Sequence, residues 1–128
     1  MHEKRQYHRY PCLLKVRFQY HDGNPEDPYQ MAKKPQKGKG RILDISRGGI
    51  FIASYTKTGI NLPIRILFKT NNRIISQTGT IVRTGLIRNN PAEVLKKFAS
   101  LDISEDAYLA IMFNEPLEDF DSDEITIL

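Results

Sequence analysis

A chain of 128 residues, 40% of them hydrophobic, is sized for one compact domain that buries a core without metals or disulfides. Its single cysteine excludes an internal disulfide, and no apolar run approaches the about eighteen residues of a membrane-spanning helix. The net charge of +4 conceals an asymmetry: residues 1–47 carry eleven Lys/Arg against five Asp/Glu, residues 48–101 eight against one, and residues 102–128 none against nine. A basic body suggests an anionic partner, although charge alone is more often simply the signature of a soluble surface.

In chain order, residues 1–11 form a polar, basic arm with Tyr7 and Tyr10 interleaved. No apolar signal region comes after Met1-His2-Glu3-Lys4-Arg5, which with the lone cysteine gives the expectation of a cytoplasmic protein. Cys12, Leu14, Val16, Phe18 and Tyr20 alternate with Leu13, Lys15, Arg17 and Gln19, the pattern of a strand with one apolar face. Residues 21–40 are rich in glycine, proline and lysine and read as a long loop. Residues 41–54 read as two strand segments around Gly48-Gly49. In the first, the period of two predicts Leu43 and Ile45 on the apolar face, with Asp44 and Ser46 together on a solvated outer face.

Gly59 to Lys69 predicts another strand, with Ile64, Ile66 and Phe68 on one side. After a turn at Asn71-Asn72, residues 74–85 continue as a strand, with a bulge expected at Gly79. Asn90-Pro91-Ala92-Glu93 carries helix-start signals and predicts one short helix near residues 91–100, with Val94, Leu95, Phe98 and Leu101 as its apolar stripe. Ala107 to Phe113 is a core strand by its apolar run, and residues 114–128 are an acidic tail. Several short strands with little helix predict an all-β fold, a small antiparallel barrel over residues 12–113.

Catalytic and metal chemistry find little support. Ser46 lacks a Gly-x-Ser-x-Gly context, and His2, His8 and His21 have no acid placed to orient them. His8 and Cys12 fall short of the four ligands of a closed zinc site. Gly38-Lys39-Gly40-Arg41 lacks the spacing and the Lys-Ser/Thr ending of a phosphate loop. The tetrapeptide LDIS occurs at 43–46 and again at 101–104, where Glu105-Asp106 replaces the glycine pair. Any function of the first copy therefore depends on the residues after Ser46.

Arg5 and Arg9 form Arg-x-x-x-Arg in the arm. A guanidinium fork pairs bidentately with phosphate or with the O6/N7 edge of guanine, and its plane stacks on a base. This pair, succeeded by Asp44, Ser46 and Gly49 in the pattern Asp-x-Ser-x-x-Gly and then by Ile-Phe-Ile, resembles the PilZ family from about Lys4 to Phe113. The resemblance implies a six-stranded barrel that binds the bacterial second messenger cyclic di-GMP as a receptor, without enzymatic activity and without a cofactor. It implies that Arg5 and Arg9 clamp phosphates and guanine edges, that Asp44 accepts from the guanine donor edge, and that Ser46 bonds a phosphate or base. Gly48 and Gly49 would permit a tight turn and close backbone approach. Lys4 and Arg47 are additional candidate contacts, Lys4 at a position tied in the family to the number of ligands bound.

The expected partners are cyclic di-GMP and a downstream protein contacted when the arm orders over the ligand. Two other readings remain. One is a PilZ-like adaptor that binds no nucleotide and uses Glu118 to Glu124 as a contact surface. The other is a nucleic-acid-binding barrel using Lys33, Lys34, Lys37 and Lys39. Intact ligand motifs argue against the first. Tyr29 as the one aromatic in the lysine loop argues against the second.

Overall fold

The computed structural model describes residues 7–22, 26–31, 34–87, 103–118 and 125. Six antiparallel strands close into a barrel: β1 (Tyr10–Tyr20), β2 (Gln36–Ile45), β3 (Gly49–Ser54), β4 (Pro63–Lys69), β5 (Ile74–Leu86) and β6 (Ala107–Phe113). Around the barrel the order is β1-β2-β3-β6-β5-β4, with β4 returning to β1. One short helix, α1 (Pro28–Met31), lies between β1 and β2. The all-β barrel anticipated from the alternating pattern is therefore present. The helix expected near residues 91–100 lies outside the described residues, as do Lys4 and Arg5 of the arm.

Alternation fills the interior. Val16, Phe18 and Tyr20 of β1, Ile64, Ile66 and Phe68 of β4, and Ile50 and Ile52 of β3 are buried in one cluster with Leu109, Ile111 and Phe113 of β6. Leu117 and Ile125, from the acidic C-terminal segment, join the same core. A second cluster of Leu43, Phe51, Ala53 and Ala110 lies on the outside, because Phe51 and Ala53 alternate with the inward Ile50 and Ile52. Phe51 stacks there on Tyr108, with ring centroids 5.2 Å apart.

Four expectations need correction. Residues 36–40 are not loop: they open β2, with Lys37 and Lys39 exposed and Gly38 and Gly40 opposite Phe18 and Val16. These glycines mark close packing. A Cβ on Gly38 would lie 2.4 Å from the Phe18 ring, and one on Gly40 2.3 Å from the Ala53 carbonyl oxygen. The strand expected from Gly59 begins only at Pro63, since Asn61 has φ of 61°, a left-handed conformation that interrupts extended chain. The β5 bulge lies between Ile81 and Arg83, while Gly79 pairs regularly with Ile64 and Phe113. A Cβ at Gly79 would meet the Met112 carbonyl oxygen at 2.5 Å, so close strand approach explains that glycine.

The fourth correction bears on the site. Leu43 and Ile45 do not share a face, because the β2–β3 register shifts between Ile42 and Asp44. Ile42 and Ile45 point into the main core, and Leu43 packs in the outer cluster. Strict alternation after Ile42 would direct Asp44 inward. The bulge instead sets it opposite Phe51, on the outer side. Asp44 and Ser46 are nonetheless 7% and 6% exposed, so they do not form a solvated face.

Candidate functional site

The turn joining β2 to β3 is built from its own polar atoms. Ser46 N donates to the Gly49 carbonyl at 2.9 Å. The Ser46 hydroxyl accepts from Gly48 N at 3.2 Å and lies 3.4 Å from the same Gly49 oxygen, to which it donates. No described glycine has positive φ, so left-handed geometry does not explain the glycine pair. Proximity does. A Cβ on Gly49 would lie 2.2 Å from the Ile111 carbonyl oxygen, and one on Gly48 3.1 Å from the Tyr7 ring.

The end of β6 and the chain after it anchor this turn. Phe113 N donates to the Gly48 carbonyl at 2.9 Å, and Leu117 N to the Arg47 carbonyl at 2.8 Å. In return Arg47 Nε donates to the Leu117 carbonyl at 2.8 Å. The Arg47 guanidinium also sits 5.2 Å from the centre of the Tyr7 ring, within reach of a cation–π contact. Burial of Leu117 in the core thus fixes the position of Arg47.

Beside the turn opens a cleft of about 510 Å³, within the span of roughly 300–1,000 Å³ common for small-molecule sites. Tyr7, Arg9, Ser46, Gly48 and Gly49 line one side, and Val82, Arg83 and the β6 residues Ala110 to Phe113 the other. Its described lining holds two arginines and no carboxylate. An anionic ligand therefore meets a favourable potential there.

Arg9 links the cleft to Asp44, since its Nε lies 3.3 Å from the Asp44 carboxylate. Asp44 itself stands behind Arg9 and does not line the cleft. Beneath it Cys12 is fully buried, its thiol 3.6 Å from the Ile42 carbonyl oxygen. Burial first, and the Asp44 charge second, push the Cys12 thiol up to about 12, so it stays protonated and weakly nucleophilic.

Of the residues singled out in the sequence, Arg9, Ser46, Gly48 and Gly49 meet at the cleft, with Asp44 and Arg47 one contact away. Arg83 and Met112 are cleft residues that the sequence pattern did not single out. The signal for Arg83 was available: Ile75, Gly79, Ile81 and Arg83 share one parity, which would point an arginine into the core. The bulge after Ile81 re-aims it outward.

A family model described as the PilZ domain matches residues 3–114. The chain belongs to the PilZ domain family. Among solved structures it is similar to the Bacillus subtilis inhibitor of motility, MotI/DgrA, at 19% identity and a TM-score of 0.58 over 90% of this chain and 44% of that one. It is also similar to the PilZ domain of YcgR from Escherichia coli, solved with cyclic di-GMP, at 10% identity and a TM-score of 0.52 over 88% of this chain and 79% of that one. At these identities the likeness shows a shared fold, and the chain spans less than half the length of the Bacillus protein. No curated protein sequence matches it. Among the described residues of this PilZ domain, no helix is long and apolar enough to cross a membrane.

Proposed function

We propose that this PilZ domain is a receptor for cyclic di-GMP, which binds in the cleft between the Ser46–Gly49 turn and the bulged end of β5. The observation that carries the reading is the double placement of Arg9, which lines the cleft and also pairs with the buried Asp44. Cyclic di-GMP presents two phosphates and two guanine donor edges. Arg9, Arg83 and the arm residue Arg5 supply cations for the phosphates, and Lys4 extends the same basic arm. An ionised carboxylate only accepts hydrogen bonds, so Asp44 suits the N1–H and exocyclic amine of guanine.

Without ligand the Asp44 carboxylate is engaged by Arg9. A guanine edge would replace that ion pair and release the guanidinium toward phosphate. The exchange trades one partner of the buried carboxylate for another. Ser46 acts by fixing the turn, its hydroxyl keeping an acceptor position for the ligand. Gly48 and Gly49 bring backbone to the cleft without side chains in the way, and Arg47 with Tyr7 forms a stacking edge. Engagement of the ligand by the basic arm that precedes β1 would change the surface offered to a downstream protein.

The test is competition for labelled cyclic di-GMP by wild type, Arg9→Ala and Arg83→Ala, with thermal unfolding as the control. Arg9→Ala is expected to lose at least about 30-fold in affinity, equivalent to about 2 kcal/mol, and Arg83→Ala about tenfold. Arg83→Ala should keep its midpoint close to wild type, whereas Arg9→Ala, which takes an ion-pair partner from the buried Asp44, should stay folded with its midpoint lowered by several degrees. Unchanged affinity in the folded Arg9→Ala protein would remove the proposed site.

A further inference from the structure

A second surface, away from the cleft, remains without a role. The outward positions of β2, β1 and β4 align across the sheet. Lys39 stands opposite Arg17, which stands opposite Leu67; Lys37 stands opposite Gln19, which stands opposite Arg65. Lys15 and Lys69 extend the same strands, and all six cations are exposed. None of the six makes an ion pair with a carboxylate among the described residues. β1 and β4 contain no Asp or Glu, and the one acid of β2, Asp44, belongs to the cleft side.

Neighbours on one sheet face lie roughly 5 Å apart across strands and roughly 7 Å apart along them. Like charges directly opposite, as at Arg17 and Lys39, weaken a sheet. The face therefore carries a repulsive cluster that no carboxylate among the described residues relieves. Among the described residues of the acidic C-terminal segment, the Glu115 main-chain carbonyl accepts from Gln77 at 2.6 Å, and Glu118 pairs with Arg73 at 3.7 Å.

Amid these cations Leu67 is 46% exposed and edges a groove of about 310 Å³ that Arg17, Lys37 and Arg65 also line. We infer that this β2–β1–β4 face docks an acidic segment of a partner protein, one that sets an apolar side chain among several carboxylates. Charge complementarity fixes the sign of the partner. Leu67 favours a peptide over a nucleic-acid backbone, which has no use for an aliphatic side chain, and no aromatic platform for bases stands on these outward strand positions. The convex outside of a closed barrel touches a planar bilayer at few points, whereas a groove accepts a narrow chain.

The test uses the full chain and a fluorescein-labelled synthetic peptide of Glu with Leu at every fourth position. Controls are the same peptide with Gln for Glu, duplex DNA, and phosphatidylglycerol vesicles. Binding of the Glu peptide is expected to weaken about tenfold between about 50 and about 300 mM salt. The Arg17→Glu/Lys39→Glu double variant should lose at least about tenfold, and Leu67→Ser about threefold, with cyclic di-GMP affinity unchanged. Arg17→Gln/Lys39→Gln serves if charge reversal impairs folding. Peptide binding is read without nucleotide, so a failed nucleotide titration leaves this result decisive on its own. Absent peptide binding, equal binding of the Gln peptide, indifference to the charge variants, or tighter binding to DNA, vesicles or a second copy of the chain would each overturn the inference.

Discussion

The Ser46–Gly49 turn and the outward β2–β1–β4 face are both polar, yet they are constrained in opposite ways. In the turn, Ser46 N and Oγ, Gly48 N and O, and the Arg47 carbonyl all have partners, and Gly49 sits against Ile111 with no room for a methyl group. On the face, six cations have no carboxylate partner among the described residues and project freely. The turn is intolerant of one added carbon. The face should be tolerant of shape and intolerant of sign. That contrast separates what holds the barrel together from what it offers to other molecules.

The largest effect should come from Gly49→Ala. A Cβ 2.2 Å from the Ile111 carbonyl oxygen forces β3 and β6 apart, and a loss of about 3 kcal/mol is expected in urea unfolding. A loss below about 0.5 kcal/mol would mean that the turn shifts freely and that the contrast fails. Ser46→Ala should cost about 1–2 kcal/mol, because Gly48 N loses its acceptor in a part-buried place. For Asp44→Ala, comparable affinity losses for cyclic di-GMP and cyclic di-AMP would deny Asp44 a part in selecting guanine. The expected result is a ratio shifted against the guanine ligand by about tenfold, or about 1.4 kcal/mol.

Glu105 sharpens the comparison from within the outward row. Arg41 stands opposite Lys15, but both its Nε and an Nη donate to the Glu105 carboxylate, which is 8% exposed. Hydrogen bonding from Arg41, outweighing the opposing effect of burial, holds the Glu105 carboxyl below its ordinary value of 4.5. A carboxyl lowered on folding stabilises the fold above its unfolded value, and that contribution is lost as pH falls from about 4.5 through the folded value. Wild type should therefore lose stability over that acid range, and Glu105→Gln should show a shallower slope in pH-dependent melting. Parallel slopes would leave the ion pair without thermodynamic weight. The smallest effect is Lys39→Gln, expected to raise stability by up to about 0.5 kcal/mol by relieving the repulsion with Arg17. A destabilisation there would show that the face is held by attractions not apparent from its charges.

Much of the barrel was legible because its signal is periodic. Val16-Phe18-Tyr20 and Ile64-Ile66-Phe68 alternate without interruption, and they are buried in that register. Legibility failed where period two was broken. The bulge between Ile42 and Asp44 separates Leu43 from Ile45, and the bulge after Ile81 turns Arg83 to the cleft. A bulge is set by pairing across strands, so a local pattern gives only a hint of it, here a charged residue at a core parity. Glycine misled for a related reason. Gly38 and Gly40 resemble loop residues in composition, yet they serve Phe18 and Ala53 across the sheet. At the site, the motif spacing identified Arg9, Ser46 and Gly49 as neighbours of one cleft. It could not show that Asp44 is buried behind Arg9, nor that Leu117 and Ile125 of the acidic segment belong to the core.

Calorimetric titration of the full chain with cyclic di-GMP, with GTP as control, tests the central reading most directly. Saturable binding of one or two ligands per chain, absent for GTP, is the expected result, and its stoichiometry would define the part played by Lys4. No heat of binding at high micromolar cyclic di-GMP would contradict the receptor reading and leave the adaptor reading in its place.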